Sequence, residues 1–375
     1  MWNRLILILP VTAVVFSCTR PKLDSKDNLR NYYREDFKIG AALSADDIVQ
    51  KTPLESKLIS EEFNTLTAEN VMKWEEIHPL PDVFEYDVPD ELIKLAKINK
   101  QEVIGHTLVW HNQLPEWVVQ DEQGNLVDST TLFQHIENHI NAVANRYSGD
   151  IKGWDVVNEA ISDQGGYRNS KFYQISGKEF IFKAFEYAAK ADPEAELYYN
   201  DYSMYRPEKC DDAIRLATEI RKRGLRIDGI GMQAHWQMNS PTIEQIETSI
   251  LKIHKAGFQI HFTELDIDVL PYAYNIEGAN LSDNFESNPK LNPYKEGLPD
   301  SLAEAQGKRY QEIFKLFYKH GDKIERVTFW GLDDGSSWKN DWPAKGRTNY
   351  PLLFDRDFKP KKAYEMIMSV KKEPT

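Results

Sequence analysis

The sequence predicts one α/β domain built as a (β/α)₈ barrel. Eight short apolar runs alternate with longer helical patterns between residues 32 and 372. No low-complexity linker or shift in composition breaks that rhythm, so the stretch reads as a single folded unit. Polar side chains also crowd the downstream ends of the runs, the face on which such a barrel carries its site. A doubly wound open sheet is the competing architecture.

The expected strands are residues 38–43, 65–68, 102–109, 152–157, 195–199, 227–232, 258–263 and 326–329. Leu132, Ile136, Ile140, Val143 and Tyr147 recur every three or four residues and form one apolar helix face. Ile243, Ile246, Ile250 and Ile253 do the same behind Ser240-Pro241, a pair suited to an N-cap and first helical position. Gly224, Gly257 and Gly321 each end a helical pattern, where glycine tolerates the left-handed conformation. Residues 270–300 form a long polar insertion after the seventh strand, expected on the face that carries the site.

The first 31 residues stand apart. Arg4, the apolar run 5–16 and Val15-Phe16-Ser17-Cys18 have the form of a bacterial lipoprotein leader. The expectation is a signal peptide over residues 1–17, a lipid on Cys18 and a flexible tether over 18–31. The protein is then exported, monomeric and in touch with a membrane only through that lipid. A plain secretory leader is the alternative. Cys210 carries no mark of a nucleophile and reads as structural.

Hydrophobic residues make up 41% of the chain and charged ones 28%, as in a globular protein with a large core. Aromatic residues reach 12%, with nine tryptophans, which suits platforms for flat ligands. The net charge of −13 repels a phosphate backbone and excludes nucleic acid as partner. A neutral polymer remains compatible.

The residues after each run narrow the chemistry. Glu159 follows the fourth strand and Glu264 the seventh, so both can face one ligand across a barrel mouth. Cleavage of a glycosidic bond needs two carboxyl groups, one donating a proton and one attacking carbon or activating water. Asn158 beside Glu159 is neutral and would not lower its pKa through charge. His235 can donate to Glu264 and be oriented by Asp266. Glu159 is therefore read as acid/base and Glu264 as nucleophile. No cofactor or metal is expected: P-loop, dinucleotide fingerprint, HExxH and cysteine cluster are all missing. His135 and His139 lack a third ligand in register and read as a solvated helix face.

These segments resemble glycoside hydrolase family 10, the endo-β-1,4-xylanases. The likeness runs over residues 37–364 and rests on collinear motifs. They are Thr67-Ala68-Glu69-Asn70 with Lys73, Gly105 to His111, Trp154 to Glu159, Tyr199 to Tyr202, Gln233-Ala234-His235 and Thr263 to Asp266, with Trp330 and Trp338. The resemblance implies retaining hydrolysis of xylan and xylo-oligosaccharides, with Glu159 and Glu264 in the roles given above. It implies that Glu69, Asn70 and Lys73 hold sugars toward the non-reducing end. His106, Trp110, Asn158 and Gln233 then surround the sugar being cleaved. Tyr202 lies under the leaving-group side, and Trp330 and Trp338 cover the glycone. An indole at Trp338 would leave xylose unhindered and clash with the hydroxymethyl group of glucose. Other two-glutamate barrels, such as glucanases, mannanases or galactanases, remain the neighbouring reading. A non-catalytic glycan-capturing lipoprotein is the reading from another class.

Overall fold

The computed structural model describes residues 28–271 and 289–372. Cys18, the expected leader and most of the long insertion lie outside the described residues. The strands are β1 (Lys38–Leu43), β2 (Thr65–Ala68), β3 (Glu102–Val109), β4 (Ile151–Asn158), β5 (Glu196–Asp201), β6 (Gly229–Met232), β7 (His235–Gln237), β8 (Gln259–Asp268) and β9 (Ile324–Phe329). Every ladder between them is parallel. Neighbours pair in chain order from β1 to β6, β6 pairs with β8, and β9 returns to β1, which closes an eight-stranded barrel. Closure leaves no free edge among these eight strands.

Helices cross over between strands and cover the outside. The helix Ser129–Arg146 shows why. Its apolar stripe Leu132, Ile136, Ile140 and Val143 is fully buried, while Asp128 caps its first turn by accepting from Thr131 N at 2.9 Å. Between the barrel and its helices, fit is set by paired small and large residues. Gly105 on β3 lies opposite Trp154 on β4, and a Cβ at Gly105 would fall 2.0 Å from the indole.

Several expectations change. Glu264 and Asp266 lie within β8, not after it, because the strand continues to Asp268 while pairing with β7 and β9. The short β7 was not expected; it sets His235 opposite Asp266. The helix Ile243–Lys255 is capped by Thr242, not Ser240, through a reciprocal box with Gln245 at 2.9 and 3.2 Å. Gly224 and Gly257 adopt φ of 76° and 78°, but Gly321 opens a 3₁₀ turn instead. It is small for want of space, since a Cβ there would sit 3.0 Å from that of Asp36. His139 is not solvated. It is fully buried, stacked 3.9 Å from Trp74 and 3.2 Å from the Nδ1 of His78. Within the stretch read as a tether, Leu29–Tyr32 is helical and Leu29 is buried.

Replacing Gly105 with alanine forces a methyl into the Trp154 ring. The expected cost is about 1–3 kcal/mol, read as a lowered thermal midpoint at fixed scan rate.

Candidate active site

Backbone hydrogen bonds carry the sheet's order past the strand ends and fix the site residues in place. The N–H of Glu69 donates to Leu43 O at 2.9 Å, that of Glu159 to Asn200 O at 2.9 Å, and that of Glu264 to Gln233 O at 2.8 Å. Glu159 has a φ of 57°, the left-handed region that side chains other than glycine rarely adopt. Its carbonyl accepts from Arg168 Nε at 2.8 Å. Bonded on both sides, the residue is held in this strained conformation, which turns its side chain out of the strand's regular path.

The two glutamates share a chain of side-chain amides. Gln233 Nε2 lies 3.0 Å from Glu159 Oε1 and 3.2 Å from the Asn158 amide. Asn200 Nδ2 lies 3.1 Å from the Asn158 amide and donates to Glu264 Oε1 at 2.7 Å. The other oxygen of Glu264 meets His235 Nε2 at 3.0 Å. The opposite ring nitrogen, Nδ1, meets Asp266 Oδ2 at 2.9 Å. That same oxygen accepts from Trp338 Nε1 at 2.9 Å.

These contacts drive the carboxyl groups apart. Burial, helped by the charge of Asp201, raises the pKa of Glu159. Its Oε2 is buried and has no hydrogen-bond partner among the described residues. Burial would raise Glu264 as well, but the His235 hydrogen bond, the nearby His106 and His235 rings and the Asn200 hydrogen bond outweigh it and hold its carboxyl below the usual range. Burial opposes charge on His235 too. The charge of Asp266 and the hydrogen bonds to both carboxylates win, and the imidazole is pushed up to about 9. At neutral pH the site therefore holds a protonated histidine between two carboxylates, with a separate glutamate biased toward its acid form.

A cavity of about 410 Å³ opens over this centre. Glu69, Asn70 and Lys73 form one wall. Lys73 Nζ donates to Asn70 Oδ1 at 2.9 Å and to Gln113 Oε1 at 2.8 Å, and sits 4.8 Å from the Trp110 ring centre. Its pKa is lowered by burial. His106 is bonded to Asp155 at 2.9 Å and meets Trp330 edge-on at 5.2 Å. Trp338 is stacked on Trp342 at 5.0 Å. An adjoining cavity of about 220 Å³ shares Gln233, His235, Trp338 and Trp342 with the first. The carboxylates thus sit part-way along a groove. No group of His, Cys, Asp or Glu that could hold a metal occurs among the described residues.

A sequence model described as glycosyl hydrolase family 10 matches residues 28–370. The chain belongs to glycosyl hydrolase family 10. It is 44% identical over 365 residues to endo-1,4-beta-xylanase A of Xylanibacter ruminicola, covering 97% of each chain. It is 38% identical to an endo-1,4-beta-xylanase of Geobacillus stearothermophilus, over 92% of this chain and 98% of that one. Among solved structures, a family 10 endoxylanase from a sugarcane soil metagenome superposes with a TM-score of 0.88 at 43% identity. It covers 92% of this chain and all of its own, at 100%.

Within this family member, Glu69, Asn70, Lys73, His106, Trp110, Asn158, Glu159, Gln233, His235, Glu264, Trp330 and Trp338 all border the cavity over the two glutamates. Asp266 stands behind His235 and is fully buried. Tyr202 borders the adjoining cavity instead. Its hydroxyl accepts from Arg168 at 2.7 Å, and Lys209 Nζ lies 3.5 Å from its ring centre. Sequence reasoning gave no role to Asn200, Arg168, Gln113, Asp341 or Trp342. Asn200 had a signal, since it ends the fifth strand beside Asp201; Arg168 had none, being one cation in a polar loop.

The raised pKa of His235 links it to stability. Its contribution is complete below the ordinary value of 6.5 and is lost as pH climbs through about 9. Asp266→Asn removes the main charge behind that rise. An NMR titration of the variant should show the His235 ring titrating well below its wild-type midpoint, and the variant's thermal midpoint should change less between those pH values.

Proposed function

We propose that the protein cleaves internal β-1,4-xylosidic bonds of xylan by double displacement, with retention at the anomeric carbon. Glu264 attacks that carbon while Glu159 gives its proton to the departing oxygen. A glycosyl ester on Glu264 results. Glu159, now ionised, draws a proton from water, and the water's oxygen attacks the same carbon and frees Glu264. The observation that carries this reading is the split between the carboxyl groups. Glu264 has both oxygens hydrogen-bonded and is kept ionised by His235, while Glu159 is raised, with one oxygen unpartnered. The likeness to two endo-1,4-beta-xylanases supports the substrate. The groove that continues past the carboxylates on both sides supports internal cleavage.

Further roles belong to the same reading. Glu69, Asn70 and Lys73 hold sugars on the glycone side, and Trp338 excludes a hydroxymethyl group. Asp266 orients His235, as the shared Oδ2 contact with Trp338 supports. Export and a lipid on Cys18 are also part of it, supported by the charged start, the apolar run and Val15-Phe16-Ser17-Cys18.

Purified full-length protein incubated with xylan should release a mixture of short xylo-oligosaccharides. Proton NMR should show the β anomer first; an initial α anomer would replace double displacement with a single one. Glu159→Gln should lower kcat on unactivated substrate by about 10²–10⁴-fold, and Glu264→Ala should abolish turnover. Trp338→Ala should raise kcat/KM for glucosyl relative to xylosyl substrates by roughly 10-fold or more. An unchanged ratio would remove the exclusion role from this indole.

A further inference from the structure

A second cavity, larger than the catalytic one at about 1050 Å³, lies on the outer ring of the barrel. Its walls are two turns, one around residues 78–84 and one around 116–127, and the exposed face of the helix Ser129–Arg146. Nothing in the proposed reaction uses it.

The floor is aromatic. His78 stacks on Phe84 at 4.0 Å and meets Trp117 edge-on at 4.9 Å. Trp117 Nε1 is already spent on Pro79 O at 3.0 Å, so what the half-buried indole offers the cavity is ring surface. His78 is lowered to about 4 by burial and brings no charge at neutral pH. The two turns also carry Leu80, Val83 and Leu126 at 58%, 39% and 41% exposure, three of the few large apolar side chains left in water among the described residues.

The rim is polar in a particular way. Gln134, Asn138 and Asn141 stand at i, i+4 and i+7, on one helix face, over about 10 Å. None of the three side-chain amides has a hydrogen-bond partner among the described residues. Each offers two donors and an acceptor, the set that matches adjacent hydroxyl groups. Asp82, Glu116 and Glu122 add acceptors, and no lysine or arginine among the described residues lines the cavity. An anionic ligand is repelled. Apolar ring surface beside a ladder of amides fits the two faces of a pyranose, its flat C–H side and its hydroxyl edge. The ladder's length suits a stretch of chain better than a single ring.

We propose that this cavity is a second carbohydrate-binding site, which holds a neutral stretch of polysaccharide while the groove works on the same polymer. Naming that polymer as xylan rests on the function proposed above. The site keeps long or insoluble substrate at the surface between cleavages, so its loss acts on polymer and spares short substrates.

The test is affinity electrophoresis in soluble xylan, run on full-length Glu264→Ala protein so that the polymer stays intact. The second protein adds Asn138→Ala and Asn141→Ala, two rim positions that no core contact depends on. The third adds Trp117→Ala. The amide pair should weaken retention roughly 5- to 10-fold. The same pair, placed in the active protein, should leave kcat/KM on a short xylo-oligosaccharide unchanged and slow attack on insoluble xylan. Retention equal to the parent in the amide variant would overturn the proposal. So would stronger capture by polylysine than by xylan, abolished by salt, which would mark a surface for basic peptide. If the active protein cleaves no xylan, yet the amide pair loses retention in another neutral glycan, the second site stands and the proposed substrate falls.

Discussion

One half-buried imidazole organises the catalytic face. His235 is held by Glu264 on one nitrogen and Asp266 on the other. Two carboxylates taken from water into a barrel mouth repel each other and resist ionisation. A proton shared into that space as imidazolium removes both costs, and the group most strongly anchored gains most. Asp266 is fully buried and also accepts from Trp338, so a single oxygen sets the tilt of the histidine and of an indole in the cleft wall. Remove the charge on that carboxylate and the histidine, the nucleophile candidate and the indole all lose their reference point.

The amide relay does comparable work between the glutamates. Gln233, Asn158 and Asn200 connect Glu159 to Glu264 without placing a full charge between them. Neutral groups position each carboxyl while leaving its protonation to burial and to His235. Substitutions along this relay should not combine additively, since each amide satisfies two neighbours at once.

Much of this was legible in the chain. The eight strand positions came from apolar runs whose length and spacing leave little choice, because a strand buried on both faces must be nearly continuous in hydrophobic residues. Glu159, Glu264, His235 and Asp266 stood out because so many polar residues gathered at strand ends. What stayed hidden depends on partners distant in sequence. The strand β7 is three residues long and exists only because β8 runs on beside it. His139 looked solvated by its helical neighbours, yet it is buried against Trp74 and His78, which come from another element. Thr242 displaced Ser240 as cap because Gln245 completes a box three residues later, and the Ser-Pro pair drew the eye to the wrong residue. Arg168 gave no warning, since its value lies in the carbonyl of Glu159 and the hydroxyl of Tyr202.

The left-handed backbone at Glu159 has a consequence for how this protein can change. A residue with a Cβ is unfavourable there, and glycine would relieve the strain. Any pressure that rewards heat tolerance alone therefore pulls this position toward glycine, away from a carboxyl side chain. An unstrained backbone and a carboxyl side chain compete at this one codon.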